Sequence, residues 1–171
     1  YVLEARATED EAYRVQSWTR LAELYEEELQ DEDQAMAWYG RILEVQADYQ
    51  PALQALERLY TKRQSWSKLI KVFEIELSNT ESVQQKILIF SKMAEIWDYQ
   101  LANFEEASRC HREILELDPG CLNSIRALAK ISYSVKDWSQ LIEMNLREIQ
   151  VTKDLETKAR LYYRTGEIYE K

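Results

Sequence analysis

Apolar residues recur along this chain at spacings of three and four, and polar breaks near residues 30–33, 47–50, 62–65 and 78–82 interrupt the pattern. That period belongs to helices with one buried face. It predicts helices at about 10–29, 32–46, 51–63, 66–78, 83–101, 104–117, 121–135, 138–151 and 154–170, with residues 1–7 as the tail of an earlier helix. Both prolines agree with these boundaries: Pro51 suits the first turn of a helix, and Asp118-Pro119-Gly120 suits a stop.

The pattern repeats. Ala22-Glu-Leu-Tyr25 returns as Ala94-Glu-Ile-Trp97 and again as Gly166-Glu-Ile-Tyr169, and both steps have the same length. At this offset Arg41-Ile-Leu-Glu-Val45 matches Glu113-Ile-Leu-Glu-Leu117, and Trp66-Ser-Lys-Leu-Ile70 matches Trp138-Ser-Gln-Leu-Ile142. Trp18, Phe90 and Tyr162 keep size at this spacing, and Arg20, Lys92 and Arg164 keep charge. Register-locked pairs of this kind mark a repeat array, in which one helix pair cannot bury its apolar face alone and stability comes from stacking neighbours. The expected organisation is a single array over 1–171, with pairs at about 10–46, 51–78, 83–117 and 121–151 and a partial repeat from 154. Because the frame begins and ends inside repeats, the chain reads as a fragment of a longer array.

Each period contains two helix pairs, so half of it comes close to the length of a tetratricopeptide repeat. The residues carry the resemblance further. Ala94-Glu-Ile-Trp97, then Asn103-Phe-Glu-Glu-Ala107, then Glu113-Ile-Leu-Glu-Leu-Asp-Pro119 is similar to that family's small residue, aromatic, Gly-x-Tyr-x-x-Ala turn and closing Leu-x-Pro. Two departures stand out. One extra residue separates Tyr25 from Ala35 and Trp97 from Ala107, and Trp66 with Leu69, like Trp138 with Leu141, replaces the family's Tyr and Ala. The half-a-TPR repeat of RNA-processing scaffolds also accommodates these residues. The resemblance implies an all-α, right-handed solenoid of antiparallel helix pairs. Small residues at Ala22, Ala94, Ala129 and Gly166 would let paired helices approach closely, with Tyr25, Tyr60, Trp97 and Tyr169 filling the space beside them. Trp66 and Trp138 are expected in the core, where truncating either would cost about 3–5 kcal/mol.

Composition narrows the function. Only three glycines and two prolines occur among 171 residues, which favours helices over tight-turned strands. A net charge of -9 opposes direct binding to nucleic acid or an anionic membrane surface. No apolar run approaches the roughly 20 residues of a membrane-spanning helix, so no membrane insertion is expected. Cys110 and Cys121 are too few for a disulfide framework, which points to a reducing, cytoplasmic setting.

Catalytic chemistry finds little material. His111 is the one histidine and adjoins Cys110, but neighbouring helical residues point about 100° apart, so the two cannot act on each other. His111 falls one period after Tyr39, a packed second-helix position. Cys110, His111 and Cys121 lack a fourth ligand and a metal-site spacing, and no glycine-rich phosphate loop is present. Neither a cofactor, a metal nor an enzymatic activity is expected.

Binding remains. By the resemblance, ligands meet the first helix of each pair, on a concave surface. The position after the small residue reads Glu23, Arg58, Glu95, Lys130 and Glu167, alternating in sign. Around it stand Thr19, Glu26, Glu27, Lys62, Asp98, Arg126, Tyr133 and Tyr163. These are the candidate groove residues. They suit either a ladder of exposed ion pairs that only specifies stacking, each worth about 0–1 kcal/mol, or a strip that recognises a protein or peptide with basic segments near Glu26, Glu27 and Asp98. The chaperone-tail clamp of this family uses Lys and Asn where Thr19, Glu23, Gln54, Arg58, Ser91 and Glu95 stand here, and acid there would repel a carboxylate. A protein-interaction scaffold is the function expected. The alternatives are a structural element that self-associates through open repeat ends and a scaffold of an RNA-processing complex.

Overall fold

The computed structural model describes residues 11–169. The expected helical tail at 1–7, and Glu170 and Lys171, lie outside these described residues. Among the described residues nine α-helices follow one another: α1 (Glu11–Glu23), α2 (Glu32–Val45), α3 (Gln50–Lys62), α4 (Trp66–Asn79), α5 (Val83–Glu95), α6 (Phe104–Leu117), α7 (Leu122–Val135), α8 (Trp138–Val151) and α9 (Leu155–Tyr169). No strand occurs among them. Each helix packs on the next within two compact units, one holding α1 to α4 and the other α5 to α9. All but two of the helices match the pattern-derived spans to within one position at each end. The exceptions, α1 and α5, stop early for a shared reason.

Both run on into a π-helical turn, Leu24–Glu28 after α1 and Ile96–Gln100 after α5. These turns lie one period apart and hold the extra residue of the first repeat in each period. A π turn spends one more residue per turn than an α turn, so it absorbs an insertion without breaking the helix. The backbone records the difference. The Asp31 amide donates to Tyr25 O at 2.8 Å and the Asn103 amide to Trp97 O at 2.7 Å, closing six residues back. In the pairs without an insertion Ser65 donates to Tyr60 O and Asp137 to Ser132 O, both at 2.9 Å and five residues back. That is the bond of a Schellman cap.

All four of these turns pass through the left-handed region at a residue that is not glycine: Gln30 (φ 52), Gln64 (φ 52), Ala102 (φ 48) and Lys136 (φ 60). Ala102 occupies the glycine place of the Gly-x-Tyr-x-x-Ala turn. The second helix then starts at a polar cap, and the side chains of Asp31, Asn103 and Asp137 accept from the amides of Gln34, Glu106 and Gln140 at 3.0–3.2 Å.

In the first unit Ala22, Ala35, Ala52 and Ile42 are fully buried and Phe73 and Leu59 nearly so. Trp18 and Trp38 tilt against each other there with ring centroids 6.1 Å apart. In the second unit Leu115, Ile125, Leu128 and Met144 form a core, with Ala94 and Ala107 buried one period after Ala22 and Ala35. Four core expectations fail. Trp138 is 42% exposed because it opens α8 at its first position, beside the outer turn, and Trp66 in the same place of α4 is half-buried. Neither carries the full cost of a buried aromatic. Gly166 has open space where a Cβ would stand, so no close helix approach depends on it, and Tyr169 is exposed.

An L-residue in the left-handed region costs about 1–2 kcal/mol, more than a glycine loses in unfolded-chain entropy. Ala102 is exposed and surrenders no packing. Ala102→Gly is therefore expected to stabilise the chain by about 1 kcal/mol in urea unfolding; a loss of stability would show that the turn is not strained.

Candidate functional site

The π turns carry the first functional side chains. Glu26, in the turn after α1, accepts a hydrogen bond from the buried Tyr39 hydroxyl of α2 at 3.2 Å and pairs with Arg58 of α3. Asp98, at the equivalent place in the turn after α5, pairs with Lys130 of α7 at 3.3 Å. Lys130 also lies 5.0 Å from the Tyr99 ring centroid. The Glu26 carboxylate holds the Arg58 proton more tightly than usual, and Asp98 does the same for Lys130. Burial, then Glu26, pushes the Tyr39 phenol above its ordinary value. The alternating charges thus do meet, three residues later in the first helix than the Glu23 and Glu95 positions suggest.

Lys62 serves elsewhere. It pairs with Glu32 in the first turn of α2, where Arg63 also binds Glu32 at 2.9 Å and pairs with Asp33. Hydrogen bonds from Lys62 and then Arg63 hold the Glu32 carboxyl below the usual carboxylate range. Acid at the start of one helix and base at the end of another also suit both helix dipoles.

Two clefts open among the described residues, each along first helices of the pairs. The first, about 440 Å³, lies between α1, its π turn and α3, and gathers Thr19, Glu23, Glu26, Glu27 and Arg58 with Gln54. Thr19 is only 9% exposed: its hydroxyl donates to Val15 O at 2.8 Å and meets the Tyr49 hydroxyl at 3.3 Å, which makes it a wall rather than a contact residue. Glu23 and Glu27 are exposed and have no ion-pair partner among the described residues.

The second cleft, about 760 Å³, lies between α7, α8 and α9. Leu141 and Leu161 form its floor beside a buried hydrogen bond from Asn145 to Thr165 at 3.2 Å. Arg126 on its wall binds Glu148 of α8 at 2.7 Å. Tyr133 and Trp138 stand edge to face, 6.0 Å apart, on one side, and Arg160, Arg164 and Glu167 project from α9 on the other. Of the candidate residues, Arg126, Lys130, Tyr133 and Glu167 meet here, and Asp98 reaches the wall through Lys130. Lys62, Glu95 and Tyr163 line neither cleft. Trp138, Arg160, Arg164 and Glu148 were missed by sequence reasoning. The signal for Arg160 was available, since it stands one helical turn before Arg164, whereas the Arg126–Glu148 pair spans 22 residues with no motif.

The structure places Cys110 and His111, the residues weighed for nucleophilic or metal chemistry, in packed surroundings. Cys110 is buried, its thiol pushed up to about 11 by burial, far from the thiolate form a nucleophile needs. His111 Nδ1 lies 3.3 Å from the Ser124 hydroxyl, and burial lowers its pKa. Among the described residues no three His, Cys, Asp or Glu side chains are placed to hold a metal ion. No described helix is long and apolar enough to cross a membrane.

A family model for the tetratricopeptide repeat matches residues 52–84. This is the α3–α4 pair, which lacks the extra residue, rather than the stretch 94–119 whose residue types look most typical; a π insertion displaces the spacing on which such a match depends. Among solved structures, YrrB, described as a TPR protein with an unusual peptide-binding site, shares the fold with a TM-score of 0.51 and 15% identity over 95% of this chain and 83% of its own. No curated protein sequence matches the chain.

The two halves of the ion-pair ladder carry different loads. Glu26→Ala strands the buried Tyr39 hydroxyl and is expected to cost about 2 kcal/mol, whereas Lys130→Met removes an exposed cation, strands no buried hydroxyl and is expected to cost about 1 kcal/mol. Chemical denaturation of both variants checks the order. His111 gives a pH signature. Its native pKa is depressed, so the unfolded chain takes up a proton first as pH falls below the ordinary 6.5, and stability declines until the native value is passed. Melting temperatures between pH 7.5 and 5 are expected to fall less in His111→Gln than in the parent; parallel profiles would remove His111 from the account.

Proposed function

Because its helix pairs are tetratricopeptide-like repeats, we propose that the chain is a non-catalytic protein-interaction scaffold that holds extended peptide segments in the clefts along its first helices. One observation carries this reading. The clefts are walled by charged and aromatic side chains that the fold leaves exposed, while Cys110 and His111 are packed. A peptide in extended form presents side chains alternately to both walls and asks nothing of the protein but shape, charge and an apolar seat. In the first cleft Glu23 and Glu27 are the free charges, and they suit a basic segment. Glu26 is engaged by Arg58 and Tyr39 and contributes position rather than recognition.

A second reading rests on α9, where Leu155, Tyr162 and Tyr169 repeat every seventh residue and are all more than half exposed. An apolar stripe of that kind suits docking of another helix, so self-association in a larger assembly is the alternative.

Selection from a displayed random-peptide library on the whole chain separates the two. Scaffold function predicts enriched peptides whose affinity falls about tenfold or more in Tyr133→Ala/Trp138→Ala or in Glu23→Lys/Glu27→Lys. No enrichment, together with concentration-dependent dimers on a sizing column that Tyr162→Glu abolishes and the cleft variants do not, would replace it with self-association.

A further inference from the structure

Resting on the scaffold reading, the structure assigns a ligand class to the second cleft: an acidic peptide segment with a bulky apolar residue at its centre. Four cations, Arg126, Lys130, Arg160 and Arg164, line this cleft against two carboxylates, in a chain whose net charge is -9. The internal pairs account for only part of that excess. Arg126 is matched by Glu148, and Lys130 by Asp98. Arg160 and Arg164 are exposed and form no ion pair among the described residues; Asp154 senses Arg160 only at longer range. Four residues apart on α9, these two arginines share a face, a like-charge arrangement that opposes the helix. They present planar forks suited to carboxylates.

The remaining wall chooses the centre of the ligand. Tyr133 is 60% exposed, its ring edge-to-face with Trp138, above a floor of Leu141 and Leu161. That seat takes one large aliphatic or aromatic side chain, with flanking acids reaching α9. One period earlier Arg160 is replaced by Leu88, Arg126 by Gln54 and Tyr133 by Thr61, so these three features belong to this cleft, whereas the charges of Arg164 and Lys130 recur as Lys92 and Arg58. The preference is therefore opposite to that of the Glu23 and Glu27 cleft.

Fluorescence anisotropy on the full chain tests the assignment with amidated probes that carry the same uncharged visible dye on the N-terminal amine: Glu-Glu-Leu-Trp-Glu-Glu, its counterpart Lys-Lys-Leu-Trp-Lys-Lys, and Glu-Glu-Gly-Gly-Glu-Glu. The first is expected to bind about tenfold or more tightly than either of the others, with affinity that weakens in added salt. Arg160→Glu/Arg164→Glu should lower its affinity about tenfold, while the charge-matched control Arg109→Glu/Arg112→Glu, on α6 and outside the cleft lining, leaves it unchanged. Circular dichroism of both double variants confirms that they fold. Equal affinity for the acidic and basic probes, equal losses in the two double variants, or no binding of the acidic probe would overturn the assignment. So would its displacement by a single-stranded oligonucleotide at equal concentration, which would make the cleft a nucleic-acid site. None of these outcomes bears on the library selection, which tests the scaffold reading separately.

Discussion

A helix pair buries its apolar stripe only if the turn between its helices returns the chain at the right rotation, and one extra residue rotates everything after it by about 100°. The π turns Leu24–Glu28 and Ile96–Gln100 solve this inside the first helix, before the reversal. The second helices then start at matched caps, Asp31 and Asn103, and Ala35 and Ala107 arrive buried at equivalent places. Without that absorption the stripe of α2 or α6 would turn partly to solvent, and neither unit would have a core.

The same widening shapes the clefts. Glu26 and Asp98 belong to the π turns, and each reaches a cation on the next first helix, Arg58 or Lys130, 32 residues on. An ion pair at each such crossing removes both charges from recognition. What is left for a ligand is the remainder: Glu23 and Glu27 in the first cleft, Arg160 and Arg164 in the second. The fold and the clefts draw on one set of charges, and the demands of stacking are met first.

Helix positions were legible because each depends on local patterns: apolar spacing, Pro51, the break at Asp118-Pro119-Gly120, and a period that holds its register from Ala22 through Ala94 to Gly166. Even the extra residue was visible, although its form was not, since a π turn and a longer loop have the same length in sequence. The site was harder. Partner choice among surface charges depends on side-chain reach across helices, so the alternation at Glu23, Arg58, Glu95 and Lys130 did not say that Glu26 and Asp98 are the carboxylates that pair. Burial also depends on where a residue falls along its helix. Trp138 has the apolar identity of a core residue but stands at the first position of α8, where it lines the cleft. Thr19 has the identity of a surface residue but spends its hydroxyl on Val15 and Tyr49.

Charge sets how each cleft would be approached. A chain at -9 attracts basic segments from a distance, over a screening length of about 8 Å at physiological ionic strength, and repels acidic ones. The first cleft has the sign of the whole molecule, so steering and contact act together and a basic segment arrives fast but with little discrimination. The second cleft opposes the whole. An acidic segment gains nothing from the distant field and is held only once its carboxylates reach Arg160 and Arg164 and its apolar residue leaves water beside Tyr133 and Leu141. Affinity there has to come from short-range contact and apolar burial, and contacts of that range are the ones that distinguish one sequence from another.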